Sequence, residues 1–277
     1  MKTFYAILAN SLVASLTNTF VWFAVTFWVY LQTKSVIATS VMAGVFTVTI
    51  AISGFFLGSL VDRYPKKNVM LLSSISSLFL YALAFIIFVS TPPVVFTNPA
   101  SVNLWVFIVL ALFGALAGNL RGIALSTLVT ILIPEEGRDK ANGLVGTANG
   151  VGFLVASILS GIFIGFLGVF WMLVAAIGLT LLVIAHLWTI SIPDTPKTEV
   201  QAEAKSDNAV LSADVPSAID IRGTIRVINL VPGLFALIFF HTFNNFLGGV
   251  FMSLMDAYGL LLVSVQVWEF GVFCGVS

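Results

Sequence analysis

Charge is scarce in this sequence: Asp, Glu, Lys and Arg make up 9% of 277 residues, against roughly 25% in an ordinary soluble domain. That excludes a water-soluble globule. Lys and Arg total 12 and Asp and Glu total 12, with no basic arm. The clustered positive charge that nucleic-acid phosphates demand is missing, so nucleic acid is not a partner. The one cysteine, Cys274, cannot form an internal disulfide or a CxxC pair, which removes disulfide frameworks and thiolate metal sites. There is no HExxH, no intramembrane carboxylate pair and no Ser/His/Asp set, and catalysis needs such groups within reach of one another. No catalytic residue, metal ligand or cofactor is therefore assigned, and the chain is read as not an enzyme. Acidic residues are also missing from the first six apolar runs; Glu269, near the C-terminus, is the one carboxylate inside a run.

What is there is hydrophobic: 59% of the residues, with a mean hydropathy of +1.09. Apolar runs extend over residues 6–31, 38–60, 69–89, 103–132, 143–167, 169–190 and 229–255, and an eighth starts near Leu260. The first is too long for a signal peptide and lacks a clean cleavage site. The eighth has about 18 residues before Ser277, short of the ~20 that cross a bilayer comfortably. Backbone groups in lipid must be paired internally, and unbroken apolar runs exclude the alternation of barrel strands, so these are helices. Lys and Arg set the orientation. With the N-terminus inside, Lys2, Arg63, Lys66, Lys67, Arg138, Lys140, Lys197, Lys205, Arg222 and Arg226 lie on the cytoplasmic side, and the outer loops carry Lys34. A polar stretch of low hydropathy follows the sixth run and reads as a flexible cytoplasmic linker. The expected organisation is a six-helix bundle over residues 1–190, a linker over 191–227, and one full and one partial helix over 228–277.

The second run ends in Gly58, Ser59, Leu60, Val61, Asp62, Arg63, Tyr64, Pro65, Lys66 and Lys67. This string resembles the G-x-L-x-D-R-x-G-R-R/K loop of the major facilitator superfamily, with Pro65 where that motif has its second glycine and Lys66 where it has arginine. Its place between the second and third spans, and the long linker after the sixth, extend the resemblance to the topology of the whole chain. The implied fold is an all-α, multi-pass membrane protein with a major-facilitator-type N-terminal bundle. The implied role for Gly58, Asp62, Arg63, Lys66 and Lys67 is gating: Asp62 latches onto the positive end of the family's eleventh helix in the outward-open state. Without the family, Gly54 and Gly58 permit close helix approach, and Asp62 is a carboxylate at a helix end that can pair with Arg63 or with a helix N-terminus. A solvated turn whose charges only set topology is the competing reading.

Arg121 stands more than ten residues from either end of the fourth run, where a charge is expensive and normally faces a cavity or a partner. With Gly122 it resembles an arginine found in proton-linked drug exporters of the superfamily. The alternative is a side chain that reaches the interface along its own stem. In the first run Ser11, Ser15, Asn18 and Trp22 share a face and read as a polar cavity lining or as helix-to-helix glue. His241, Asn244 and Asn245 occupy one turn of the seventh run beside Gly248 and Gly249 and suggest a substrate-facing or broken helix, or an interhelical hydrogen-bond network. Glu269 is the candidate for proton coupling. His186 reads as an interfacial histidine. Gly143, Gly146, Gly150, Ser157, Gly161 and Gly165 form a spine that predicts a close helix crossing. The first two of these family glycines of the antiporter signature match at Gly146 and Gly150, but Val151, Leu154 and Val155 depart from it, so that signature is not assigned.

The resemblance implies secondary transport by alternating access, of the permease type, with efflux of small amphiphilic or drug-like molecules and a coupling proton. The expected setting is the plasma membrane, with the lipid bilayer and a small-molecule substrate as partners. On this reading the 277 residues are a truncated carrier, lacking most of the second bundle and unable to transport alone. The alternative from another class is a noncatalytic half-transporter that associates through its Gly58 and Gly150 faces, as a homo-oligomer or with a complementing half.

Overall fold

The computed structural model describes residues 2–191, 230, 232–240, 242–244, 247 and 248. They fall in two units, each taken by itself. The first contains six helices: α1 Lys2–Thr33, α2 Val36–Arg63, α3 Lys66–Ser90, α4 Val102–Leu132, α5 Glu135–Ile162 and α6 Gly168–Thr189. No strand occurs among the described residues. In the second unit an apolar helix, Leu234–Asn244, follows Gly233, whose φ of 83° suits a residue without Cβ.

Short connections join the helices, and their chemistry is local. Ser35 caps α2 by accepting from the Ala38 amide at 3.2 Å, and Thr33 Oγ1 accepts from the Ser35 amide. Pro65 and Pro134 stand immediately before α3 and α5. Glu135 and Glu136 lie in the first turn of α5, where carboxylates favour a helix N-terminus. That is why α5 starts eight residues before its apolar run: its polar first turns are helical but invisible to hydropathy. Its other end unwinds into a π turn, Phe163–Leu167, and Gly168 at φ 80° lets the chain enter α6.

Apart from α2–α3, the packed helix pairs have an internal regularity. Exchanging each helix with the one three later maps α1–α5 onto α4–α2, α1–α6 onto α4–α3, and α1–α2 onto α4–α5, with α1–α4 and α3–α6 mapping onto themselves. Two three-helix repeats of this kind leave α1 and α4 with the most neighbours. At the end holding the α1–α2 turn, Trp28, Phe88, Phe96 and Phe107 form a cluster with ring centroids 5.0–6.0 Å apart. Such aromatic pairs add to the stabilisation from burial alone.

At the opposite, basic end, Lys66 Nζ donates to Val61 O at 2.5 Å, and Lys67 Nζ donates to Ile190 O at 2.6 Å and Trp188 O at 3.4 Å. The two lysines therefore satisfy carbonyls at the C-terminal ends of α2 and α6, where cations are favoured. They are more than solvated topology signals. Lys67→Ala is expected to lower the stability of the purified protein by about 0.5–1 kcal/mol, with Lys67→Arg close to the parent in thermal unfolding. Equal melting of the Ala variant and the parent would show that the α3–α6 tie carries no stability.

Candidate functional site

The polar side chains inside the bundle converge on Arg121. This residue is 3% exposed, in the middle of α4. Its Nη1 donates to Asn10 Oδ1 at 2.5 Å, and its Nη2 donates to Ser74 Oγ at 2.5 Å and to Met70 O at 3.2 Å. One guanidinium thus joins α1, α3 and α4, and it stays inside rather than reaching out along its stem. All three acceptors are neutral, as they must be where α1, α3, α4 and α6 contain no Asp or Glu. A planar fork can meet acceptors on two sides at once.

A serine ladder on α3 extends the network. Ser73 Oγ donates to Ala117 O and Ser77 Oγ to Gly114 O, each at 2.7 Å. Numbers rise along α3 as they fall along α4, so the pair is antiparallel. One turn beyond, Tyr81 Oη donates to Asn18 Oδ1 at 2.8 Å. Glycine on α4 makes this seam possible. A Cβ at Gly114 would stand 2.5 Å from Tyr81 Cε1, and one at Gly118 would fall inside the Asn18 amide.

Within the seam lies a cavity of about 10 Å³, lined among others by Asn18, Ser73, Ser77, Arg121 and Thr180. That is about the space of one water. The Ser73, Ser77 and Thr180 hydroxyls give their protons to backbone carbonyls. They present lone pairs inward, which suits a water donating to them better than an anion. A second cavity, of about 290 Å³, lies between α2 and α4 and is apolar, lined by Val45, Phe46, Trp105, Ile108, Leu112 and Phe113 among others. Trp22 stacks on Phe46 with centroids 4.3 Å apart, at an interplanar angle of 20°.

The profile of the Major Facilitator Superfamily matches residues 7–277. The chain belongs to this superfamily. Two solved structures share its fold. A D-xylose-proton symporter is 14% identical, with TM-score 0.63, the match covering 98% of this chain and 66% of that one. The inward-open xylose transporter XylE from E. coli is also 14% identical, with TM-score 0.53, covering 73% of this chain and 51% of that one. The chain therefore spans about half to two-thirds of their length. No curated protein matches it. Family membership and the apolar helices make it a multi-pass membrane protein.

Against this superfamily fold the sequence-derived residues separate. Gly58 and Arg63 lie in the last turns of α2, and the Asp62 side chain lies outside the described residues. Ser11 is buried, its hydroxyl without a hydrogen-bond partner among the described residues, whereas Ser15 is exposed and Asn18 and Trp22 are half-buried. His241, Asn245 and Glu269 are outside the described residues; Asn244 is helical and exposed. On α5, Gly152, Ser157 and Gly161 are buried, and α5 packs on α1, where a Cβ at Gly152 would stand 3.1 Å from Leu12 Cδ1. A Cβ at Gly143, Gly146 or Gly150, or at Gly54 or Gly58, would meet nothing within 4 Å among the described atoms. The tightest glycine contacts among the described residues are those of Gly114 and Gly118 on α4.

Five participants escaped the sequence reading: Asn10, Ser73, Ser74, Ser77 and Tyr81. Their signal was present. Ser73, Ser77 and Tyr81 recur every four residues in an apolar run, and Asn10 is an amide within the first span.

Proposed function

We propose that the bundle is one half of a secondary carrier that moves small amphiphilic, drug-like molecules outward by rocking against a second bundle about a midplane site. Membership of the Major Facilitator Superfamily over residues 7–277 carries this reading. The apolar α2–α4 cavity of about 290 Å³ supports the substrate class, being close to the lower bound of ordinary small-molecule pockets, roughly 300 Å³. The open glycine faces of α2 and α5 offer surfaces for the opposing bundle. The bias of Lys and Arg supports a cytoplasmic N-terminus, and the setting of this reading is the plasma membrane. Coupling to protons fits the symporter whose fold the chain shares.

A second reading has its own observation: both similar structures are xylose carriers, which makes a pentose-class sugar the competing substrate. The two are separated in cells expressing the complete reading frame that contains these residues, given either a fluorescent amphiphilic cation or radiolabelled xylose. The expected result is lowered, saturable, energy-dependent dye accumulation with no change in xylose uptake. Xylose uptake without dye efflux would replace the drug reading by the sugar one. Flux of neither would favour the associating half-transporter.

A further inference from the structure

Asn10 is oriented by two groups that leave it no choice. Arg121 has only N–H donors, so the Asn10 atom facing it at 2.5 Å is Oδ1. Val183 offers a carbonyl, so the atom facing it at 2.9 Å is Nδ2. The same Nδ2 lies 3.1 Å from His186 Nδ1, in the last turn of α6. An amide N–H beside that ring nitrogen needs a lone pair there, which makes His186 neutral with its proton on Nε2. A proton on Nδ1 would set N–H against N–H. Turning the amide over gives no relief, because it would put Nδ2 against the guanidinium and Oδ1 against the Val183 carbonyl together.

We infer that His186 is a proton-sensitive latch: neutral, it holds the last turn of α6 on α1 by accepting from Asn10; protonated, it releases that contact, while Asn10 stays oriented by Arg121 and Val183. Among the described residues, the groups on the packed helices nearest to His186 are cationic or neutral. From α3, Lys67 Nζ sits on the Trp188 and Ile190 carbonyls. From α4, Arg121 stands behind Asn10. α1 contributes the neutral Asn10 and the exposed Tyr5, with Lys2 at its start, and the π turn has no titratable residue. His186 itself is half-buried, which leaves a path for protons. The consequence has a definite sign: the latch is closed while Nδ1 carries a lone pair and opens when Nδ1 takes a proton.

Two measurements on the full chain in lipid nanodiscs test this. Nitrogen NMR of ¹⁵N-histidine protein, with His186→Gln assigning the signal against His241, is expected to show Nδ1 unprotonated and Nε2 protonated at about pH 8. Hydrogen exchange of residues 183–189, corrected for intrinsic rates, is expected to rise about tenfold between roughly pH 8 and 5 in the parent. It should stay nearly flat in His186→Gln, whose side-chain oxygen accepts from Asn10 without titrating. An Nδ1–H tautomer near pH 8 overturns the proposal, as does an equal rise in both proteins. The tautomer measurement needs no folded variant, because the Gln protein serves there only to identify which signal is lost.

Discussion

Arg121→Lys is expected to destabilise the bundle by about 1–3 kcal/mol, although the charge is kept. The arginine fork reaches Asn10 Oδ1 with one nitrogen and Ser74 Oγ and Met70 O with the other. A lysine ammonium is a single point that cannot hold both sides, so a buried cation would remain with part of its hydrogen bonding lost. Arg121→Met removes the charge as well and leaves Asn10 Oδ1 without its donor. Because Ser74 Oγ still donates to Met70 O, the Met variant is expected to lose less than the Lys variant. Unfolding the purified variants in mixed micelles under increasing denaturing detergent gives the comparison. If Lys matched arginine within about 0.5 kcal/mol, charge alone would suffice at this position and the three-helix fork would be unnecessary.

Gly114→Ala is expected to cost about 3 kcal/mol, at the upper end of overpacking effects. The added methyl would stand 2.5 Å and 2.7 Å from Tyr81 Cε1 and Cδ1, and Tyr81 is fully buried with its hydroxyl on Asn18. The ring has nowhere to swing, so α3 and α4 must separate, straining the Ser77 to Gly114 hydrogen bond. Gly118→Ala makes the instructive contrast. Its nominal overlap is with the Asn18 amide, but Asn18 is half-buried and can rotate, so the cost falls toward that of the lost Tyr81 bond, about 1 kcal/mol. Pairing Gly114→Ala with Tyr81→Leu should recover more than about 1 kcal/mol in a double-mutant cycle. Additive effects, or an undiminished Gly114→Ala protein, would show that the α3–α4 seam is not closely packed there.

The six spans were legible in the sequence because crossing lipid is a local requirement. Each segment must satisfy its own backbone and be apolar for about 20 residues, and residues 103–132 and Val102–Leu132 differ by a single position. The superfamily was legible for a related reason, since the loop ending at Lys67 keeps its motif in a short contiguous string. Arg121 announced itself as a charge where charge is costly. Its partners did not, because Asn10, Met70 and Ser74 lie on two other helices. Nor could the sequence distinguish the crowded Gly114 and Gly118 from the open Gly54, Gly58, Gly143, Gly146 and Gly150. In water a helix declares its inner face by being polar on the other. In a bilayer both faces are apolar, so composition alone determined that these segments are buried in membrane, and only the packing of α1, α3, α4 and α6 decided which side chains meet.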